Sequence, residues 1–200
     1  MAETHYTKLA LDWHRAGRKV AIATVVETWG SAPRPVGSLL VIDGDGAMEG
    51  SVSGGCVEGA VIVEALEALD DGKPRLLDYG VSDDEAFAVG LACGGRIRVL
   101  VEPVGSAMPV DLLEEMVAAA DTKTPIAYVI DLGGEARRTA DPSEFADRFR
   151  SDRSGIEDDG RTFVGIHNPP LRMIIVGAVH IAQHLVPMAH ACGYAPTLID

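Results

Sequence analysis

The stretch from Lys19 to Thr28 reads KVAIATVVET and is apolar at both odd and even positions. Because successive side chains of a strand point to opposite faces, this pattern predicts a strand that is covered on both faces. The stretch that follows, WGSAPRPVG at 29–37, contains two prolines and two glycines, which predicts an ordered loop with little conformational freedom. We therefore expect the first stretch to form the central strand of a sheet.

The elements predicted around this strand define a mixed α/β domain over residues 1–104. Apolar residues at helical spacing predict one helix around 6–13 and a second, about four turns long, at 57–69. The fold class predicted for the whole chain is α/β. The remaining strands of the first domain are expected at 38–43, 75–79 and 96–101.

Residues 105–168 are predicted to form a connector. Apolar spacing at 110–120 predicts a helix, and short strands are expected at 126–131 and 162–166. Between them, residues 141–160 contain seven acidic residues and three arginines but few apolar ones. That composition predicts a solvated, mobile linker.

Residues 169–200 are expected to form an incomplete Rossmann-like βαβ unit. A strand is predicted at 172–176, followed by a glycine turn, a helix that Pro187 interrupts, and a second strand at 197–200. A doubly wound nucleotide domain needs further strands, so only the beginning of one is predicted. We expect either that the chain is a fragment of a longer protein or that another copy completes the unit.

The glycine turn of this unit is similar to a dinucleotide-binding fingerprint. Gly177 stands at the first glycine position, and Asp200 at the position of the acid that binds ribose hydroxyls. Val179 occupies the second glycine position, where its side chain would crowd a phosphate. The turn is therefore either a nucleotide or phosphate site or a purely structural turn. The residues predicted to bind in the first case are Gly177, Ala178, His180 and Asp200.

The charge balance excludes two classes of partner. The chain has 30 acidic and 17 basic residues, a formal net charge of −13, and a sequence pI near 4.8. Phosphate-backbone attraction would have to overcome this field, so nucleic acid and anionic membrane surfaces are not expected partners. The sequence contains neither an 18-residue apolar run nor a signal peptide pattern. We expect a cytoplasmic protein with reduced thiols, because three widely spaced cysteines do not form a disulfide framework.

Two of the cysteines stand beside glycine pairs. The stretch SVSGGC at 51–56 comes directly before a predicted helix, whose dipole and free backbone N–H groups would stabilise a thiolate or bind an anion. The stretch GLACGG at 90–95 provides a comparable setting. Both cysteines either converge on one site or are small buried hydrophobic residues under tight turns. The candidate residues are Ser53, Gly54, Gly55 and Cys56 in the first stretch and Cys93, Gly94 and Gly95 in the second.

Three further patterns concern anions and metals. Arg34 lies between two prolines and is either a bidentate anchor for phosphate or carboxylate or an ordinary solvated arginine. His180 and His184 share a helix face, but the glutamate of a zinc-protease motif is missing. The cysteines form no C-x-x-C pair. No metal ligands and no catalytic residues are therefore predicted.

Four blocks taken together resemble the xanthine dehydrogenase accessory family of the XdhC/CoxI type. They occur in the order that the family shows, and the resemblance covers most of residues 5–104 and 170–200. The blocks are GSAPRP at 30–35, GSVSGGCVE at 50–58, GLACGG at 90–95 with the following VEP at 101–103, and GAVHIA at 177–182.

This resemblance implies a protein that binds the molybdenum cofactor, assists its sulfuration and delivers it to a molybdoenzyme of the xanthine dehydrogenase or carbon monoxide dehydrogenase type. By position, Cys56 and Cys93 with their glycines would handle the cofactor or sulfur, and Arg34 would bind the cofactor's phosphate. The expected partners are the client molybdoenzyme, a cysteine desulfurase and further copies of the chain. The alternatives are an NAD(P)-dependent oxidoreductase and a structural dimerisation module.

Overall fold

The computed structural model describes residues 3–80 and 95–200. Within these ranges, no helix is long and apolar enough to cross a membrane. The helices are α1 (Glu3–Arg15), α2 (Glu58–Asp71), α3 (Val110–Asp121), α4 (Ala146–Ser151) and α5 (His180–Ala191). The strands are β1 (Val20–Trp29), β2 (Leu39–Asp43), β3 (Met48–Gly50), β4 (Arg75–Gly80), β5 (Arg96–Pro103), β6 (Ile126–Asp131), β7 (Arg137–Ala140), β8 (Gly155–Ile156), β9 (Thr162–His167), β10 (Arg172–Val176) and β11 (Ala195–Ile199).

The first sheet has the strand order β3-β2-β1-β5-β4, and all its neighbours are antiparallel. β1 is the middle strand, as predicted, and its residues from Val20 to Val26 are buried. A register shift between Val25 and Glu27 marks a β-bulge where β1 pairs with β5. After this bulge the strand becomes polar and exposed, so the central strand leaves the core at its carboxyl end.

The two faces of this sheet are covered by different elements. α2 covers one face, where Ala21, Ala23 and Val25 of β1 pack with Val61 and Ala65. On the opposite face, Ile22 and Val26 belong to a cluster with residues of α1, α3 and a second sheet. These two layers explain why β1 has apolar residues at both odd and even positions. The α/β fold class is confirmed.

The second sheet has the order β7-β6-β9-β8 and shares its core with the first. Tyr128, Ile130 and Phe163 of this sheet belong to the same hydrophobic cluster as Leu11 of α1 and Leu100 of β5. This shared core joins residues on both sides of position 104. The division of the chain at that position stays a prediction about its folding units.

The expectation of a mobile linker over residues 141–160 is wrong. This segment contains α4 and β8, and β8 pairs with β9 of the second sheet. Phe145 and Phe149 pack against a buried cluster of the second sheet, and an Arg148–Glu157 ion pair closes the turn between helix and strand. Composition was misleading here because the charges pair with one another and two aromatic side chains are enough to anchor a short helix.

The C-terminal residues form a βαβ unit, in which β10 and β11 are parallel and α5 connects them. α5 continues past Pro187 to Ala191. Two strands do not define a doubly wound sheet, so the Rossmann-like assignment stays a prediction. Many large apolar side chains of this unit are exposed, among them Leu171, Ile174, Val176, Val179, Ile181 and Met188.

A buried ion pair connects the two sheets. Glu102 of β5 is fully buried, and its Oε1 accepts a hydrogen bond of 2.5 Å from Nε of Arg137 in β7, whose side chain is 4% exposed. Glu102 Oε2 has no hydrogen-bond partner within the described residues. Burial raises the pKa of Glu102 to about 7, although the Arg137 charge and hydrogen bonds from Arg137 and Tyr128 lower it. Relative to the unfolded chain, the fold thus shifts this carboxyl towards its protonated form.

We expect Arg137→Met to lower the free energy of unfolding by about 3 kcal/mol at pH 8.5, because it leaves a buried carboxylate without its cation. The loss should be smaller at pH 5.5. Since the pKa of Glu102 is raised in the fold, its stabilising contribution is complete below its ordinary pKa of 4.5 and is lost as the pH rises through about 7. Urea unfolding at the two pH values measures this, with the exposed Arg150→Met as control. Equal losses of unfolding free energy at both pH values would contradict the raised pKa of Glu102.

Candidate functional site

The candidate site lies at one end of the first sheet, where β1 and β4 end and β5 begins. The loop at 30–38 follows β1 there, and a second loop, residues 51–57, joins β3 to α2 at the same end. We call residues 51–57 the thiol loop. The two loops and the strand ends enclose a small cavity of about 40 Å³, the Cys56 cavity. Its lining residues are Ser31, Ala32, Pro33, Ser53, Cys56, Val57, Tyr79, Gly95, Arg96 and Ile97.

Cys56 is an exposed free thiol on the thiol loop. It directly precedes Val57, the residue before the first turn of α2. Gly54 and Gly55 have φ of +78° and +112°, in the left-handed region that favours glycine, so the glycine pair makes the turn that presents the thiol. The second exposed thiol, Cys192, lies in a different cleft with His167 and Tyr194.

The carboxylate of Glu58, the first residue of α2, holds the thiol loop together. Its Oε1 accepts hydrogen bonds from the Ser51 hydroxyl at 2.7 Å and from the backbone N–H groups of Val52 and Ser53 at 3.2 and 2.9 Å. Its Oε2 accepts from the Ser53 hydroxyl and from the N–H of Gly55, the latter at 2.9 Å. Burial raises the pKa of Glu58, but the hydrogen bonds outweigh it and lower the pKa to about 2.

This network corrects the expectation of free amides at the thiol loop. The N–H groups of Ser53 and Gly55 already donate to Glu58, and those of Gly54 and Val57 donate to the hydroxyls of Ser51 and Ser53. An anion therefore cannot use these amides unless it displaces an internal carboxylate. The sequence did not indicate this role, because Glu58 is the first residue of α2 and does not stand three residues after the N-cap, as the acid of a capping box does.

Arg34 connects the two loops of the site. Its side chain is half-buried, and its Nε donates a hydrogen bond to the backbone carbonyl of Ser51 at 3.2 Å. Pro33 lies against the thiol loop as well, 3.6 Å from the place that a Cβ on Gly54 would occupy. The structure thus brings Arg34 to the same site as Ser53, Gly54, Gly55 and Cys56.

Gly95 brings the start of β5 close to the end of β1. A Cβ at this position would lie 2.8 Å from the carbonyl oxygen of Trp29, so only glycine fits. Of the second cysteine stretch, Cys93 and Gly94 lie outside the described residues. The convergence of Cys93 with Cys56 stays a prediction. The lining residues Tyr79 and Arg96 were not predicted from the sequence, because their strand ends meet the loops only through long-range pairing.

The residues predicted at the glycine turn after β10 form a separate group. Gly177 has φ of +101°, and its N–H donates to the carbonyl of Ile199 at 2.8 Å. The carboxylate of Asp200 accepts a hydrogen bond from the N–H of Ala178 at 3.5 Å, and His180 is exposed at the start of α5. None of these residues lines the Cys56 cavity. Nucleotide or NAD(P) binding at this turn stays a prediction.

Metal binding by protein ligands alone has no support in residues 3–80 and 95–200. Within them, no three His, Cys, Asp or Glu side chains are placed to hold a metal ion. The one soft donor at the described part of the site is the Cys56 thiol.

Comparison with known proteins shows what this chain is similar to. Residues 13–80 match the family model of the XdhC and CoxI family. Together with the relatives described next, this match confirms the resemblance indicated by the sequence motifs.

Three relatives cover different parts of the chain. It is 30% identical to the molybdenum cofactor insertion chaperone PaoD of Escherichia coli K12, in an alignment of 202 positions that covers 100% of this chain and 59% of that protein. It is 41% identical over 85 residues to the uncharacterized protein YqeB of the same strain, covering 42% of this chain and 16% of the relative. A probable xanthine dehydrogenase subunit from Bacillus subtilis 168 is 34% identical over 89 residues, 43% of this chain and 27% of the relative. The chain thus spans 59% or less of these proteins.

A solved structure has the same fold. The crystal structure of a xanthine dehydrogenase from Bacillus halodurans superposes with a TM-score of 0.76 at 22% identity, over 99% of this chain and 62% of that chain. At this identity the match concerns the fold alone.

We expect Glu58→Gln to lower the free energy of unfolding by about 2 to 3 kcal/mol at pH 7, because the amide weakens bonds that the ionised carboxylate accepts. The pKa of Glu58 is lowered in the fold, so its contribution is present above its ordinary pKa of 4.5 and is lost as the pH falls towards about 2. Urea unfolding should therefore show a smaller difference at pH 3 than at pH 7. The control is Glu67→Gln, an exposed position of α2; a loss as large in this control would show a general effect of helix charge.

Proposed function

We propose that this chain binds the molybdenum cofactor at the Cys56 cavity and assists its insertion into a molybdoenzyme of the xanthine dehydrogenase type. The observation that carries the proposal is the exposed Cys56 thiol on a loop ordered by Glu58. A relative that matches the whole chain and has the name of a molybdenum cofactor insertion chaperone supports it. The fold itself does not define an activity.

The donor set and the shape of the site fit this cofactor in part. Cysteine sulfur is a soft ligand that suits a molybdenum centre, and Cys56 is an exposed free cysteine. The cavity of about 40 Å³ is too small for the whole group, so only the metal end would lie against Cys56. The bound cofactor would supply the metal centre on which the client's chemistry depends. Arg34 is a proposed contact of its phosphate, because the N–H groups of Val52, Ser53 and Gly55 already donate to Glu58.

Sulfuration is the finer part of this proposal. An accessory protein that presents the cofactor at an exposed thiol also leaves the metal open to a sulfur donor, and a cysteine desulfurase is the proposed partner for that step. Cys93 is proposed to act beside Cys56. The two described cysteines are free thiols, as expected in the cytoplasm, which is the proposed compartment.

Cys56→Ser is expected to weaken molybdenum cofactor binding at least about tenfold, since a hydroxyl is a poor ligand for a soft metal. Activation of a cofactor-free client molybdoenzyme by the loaded chain should fall in parallel. Cys192→Ser is the matched control, because it removes an exposed thiol outside the site. Bound molybdenum is measured by mass spectrometry of the purified chain and activation by client turnover. Wild-type values for Cys56→Ser would refute the proposed site.

We also propose that copies of the chain associate through the C-terminal βαβ unit. Val176 and Ile181 are each 80% exposed, and the burial of such side chains favours association. We expect Ile181→Lys to shift the dissociation constant of the assembly upward, with the exposed Val63→Lys of α2 as control. Sedimentation equilibrium measures both. A monomeric wild-type chain at its highest attainable concentration would exclude this association.

A further inference from the structure

We propose that a cleft between Trp29 and Arg96, on the opposite face of the sheet from α2, binds a planar aromatic heterocycle that carries an anionic group. If the proposed function is right, this is the pterin of the molybdenum cofactor, and the cofactor's phosphate then lies at Arg96 instead of at Arg34. The cleft, which we call the Trp29 cleft, has a volume of about 440 Å³. Small-molecule sites typically have volumes of roughly 300 to 1,000 Å³. Its lining residues are Glu27, Thr28, Trp29, Asp78, Arg96, Ile97 and Arg98.

Strand register arranges these side chains in two rows. In the outer row, Trp29 of β1 pairs with Arg96 of β5, which pairs with Gly80 of β4. In the inner row, Glu27, Arg98 and Asp78 stand in the same order. The rows are about 7 Å apart, two residues along the strands. Trp29 and Arg96 therefore stand at the end of the sheet, while both carboxylates stand beside Arg98, one row closer to the middle of the sheet.

The two arginines of the cleft differ in their partners. Arg98 is neutralised from both sides, by Glu27 at 3.0 Å and by Asp78 at 3.4 Å. Arg96 has no carboxylate within ion-pair distance in residues 3–80 and 95–200. In a chain with a net charge of −13, an arginine without such a partner is the group that would attract an anion locally. The inner carboxylates would repel the same anion and keep it at the outer row.

The indole of Trp29 offers an open face for stacking. Trp29 is 71% exposed. In contrast, the ring of Trp13 is half-buried and is covered by the guanidinium of Arg18, at 3.9 Å from the ring centroid. An aromatic heterocycle gains from stacking on such a ring, especially when its charge is neutralised nearby.

Gly80 determines where the Arg96 side chain lies. A Cβ at position 80 would be 2.7 Å from Cγ of Arg96 and 3.2 Å from its Nε, so the arginine stem crosses the bare backbone of β4. The stem leans towards β4 and away from Trp29 on β1, which leaves space between the two side chains. A flat ring can enter this space, with the indole on one side and the guanidinium on the other.

The Trp29 cleft and the Cys56 cavity meet at β5. Arg96 and Ile97 line both. These two residues are the part of the described structure where a ligand in the cleft comes nearest to the Cys56 cavity.

The test uses pterin carboxylate, a planar pterin with one anionic group, and equilibrium dialysis of the full chain. We expect saturable binding that Trp29→Ala and Arg96→Gln each weaken at least about tenfold. Gly80→Ala should weaken it as well, because it displaces Arg96 while keeping its charge. Arg75→Gln removes a guanidinium at the other end of β4 and should bind like the wild type. In a Trp13→Phe chain, where Trp29 is the remaining indole, the ligand should quench tryptophan emission.

Two results would overturn the inference. They are the absence of saturable binding to the wild-type chain and wild-type affinity in both Trp29→Ala and Arg96→Gln. AMP binding at least as tightly as the pterin would overturn the assignment of the cleft to the pterin of the cofactor. Cys56→Ser separates this inference from the proposed function, because it should leave pterin carboxylate binding unchanged. If the cleft variants bind normally while Cys56→Ser loses cofactor and activation, the proposed function stands without the cleft. The reverse pattern supports the cleft and refutes the proposed role of Cys56.

Discussion

β1 is buried on both faces along most of its length, and this constraint determines where the site can lie. Val20, Ile22 and Val26 face one hydrophobic layer, while Ala21, Ala23 and Val25 face the other. Each buried valine or isoleucine side chain contributes roughly 1.5 to 3 kcal/mol relative to an exposed one. Such a strand has no free surface for a ligand until it leaves the core after Val26. Its exposed end and the loops that follow are therefore the places where function can be added without loss of core packing.

The backbone N–H groups of the thiol loop could bind either an external anion or a carboxylate of the chain itself. The glycine pair turns several N–H groups inward, and such a concave arrangement attracts an anion. In this chain the anion is the carboxylate of Glu58, which belongs to the next helix and orders the loop at the same time. An internal ligand of this kind fixes the position of Cys56 but leaves the amides unavailable to a cofactor. The cationic groups beside the site are guanidinium groups, Arg34 on one face and Arg96 on the other, and these are the proposed contacts for a phosphate or another anion.

The sequence was informative where one local pattern decided the structure. Double-sided apolarity predicted the central strand, and glycine pairs beside cysteines identified the thiol loop. Prediction from the sequence failed where the structure depends on contacts between segments that are distant in the chain. The charges of residues 141–160 suggested a solvated linker, but Arg148 and Glu157 pair within the segment and Phe149 anchors it to the second sheet. Trp29 and Arg96 are 67 positions apart in the chain, and only strand register makes them neighbours.

The β-bulge in β1 is the feature that places Trp29 in its cleft. Before the bulge, odd-numbered residues such as Val25 face α2, and Val25 pairs with Val99 on that face. Uninterrupted alternation would put Glu27 and Trp29 on the α2 face as well, next to the Cys56 cavity. The extra residue reverses the parity, so that both pair with Arg98 and Arg96 on the opposite face. One inserted residue thus separates the indole from the thiol and places them on the two faces of one end of the sheet.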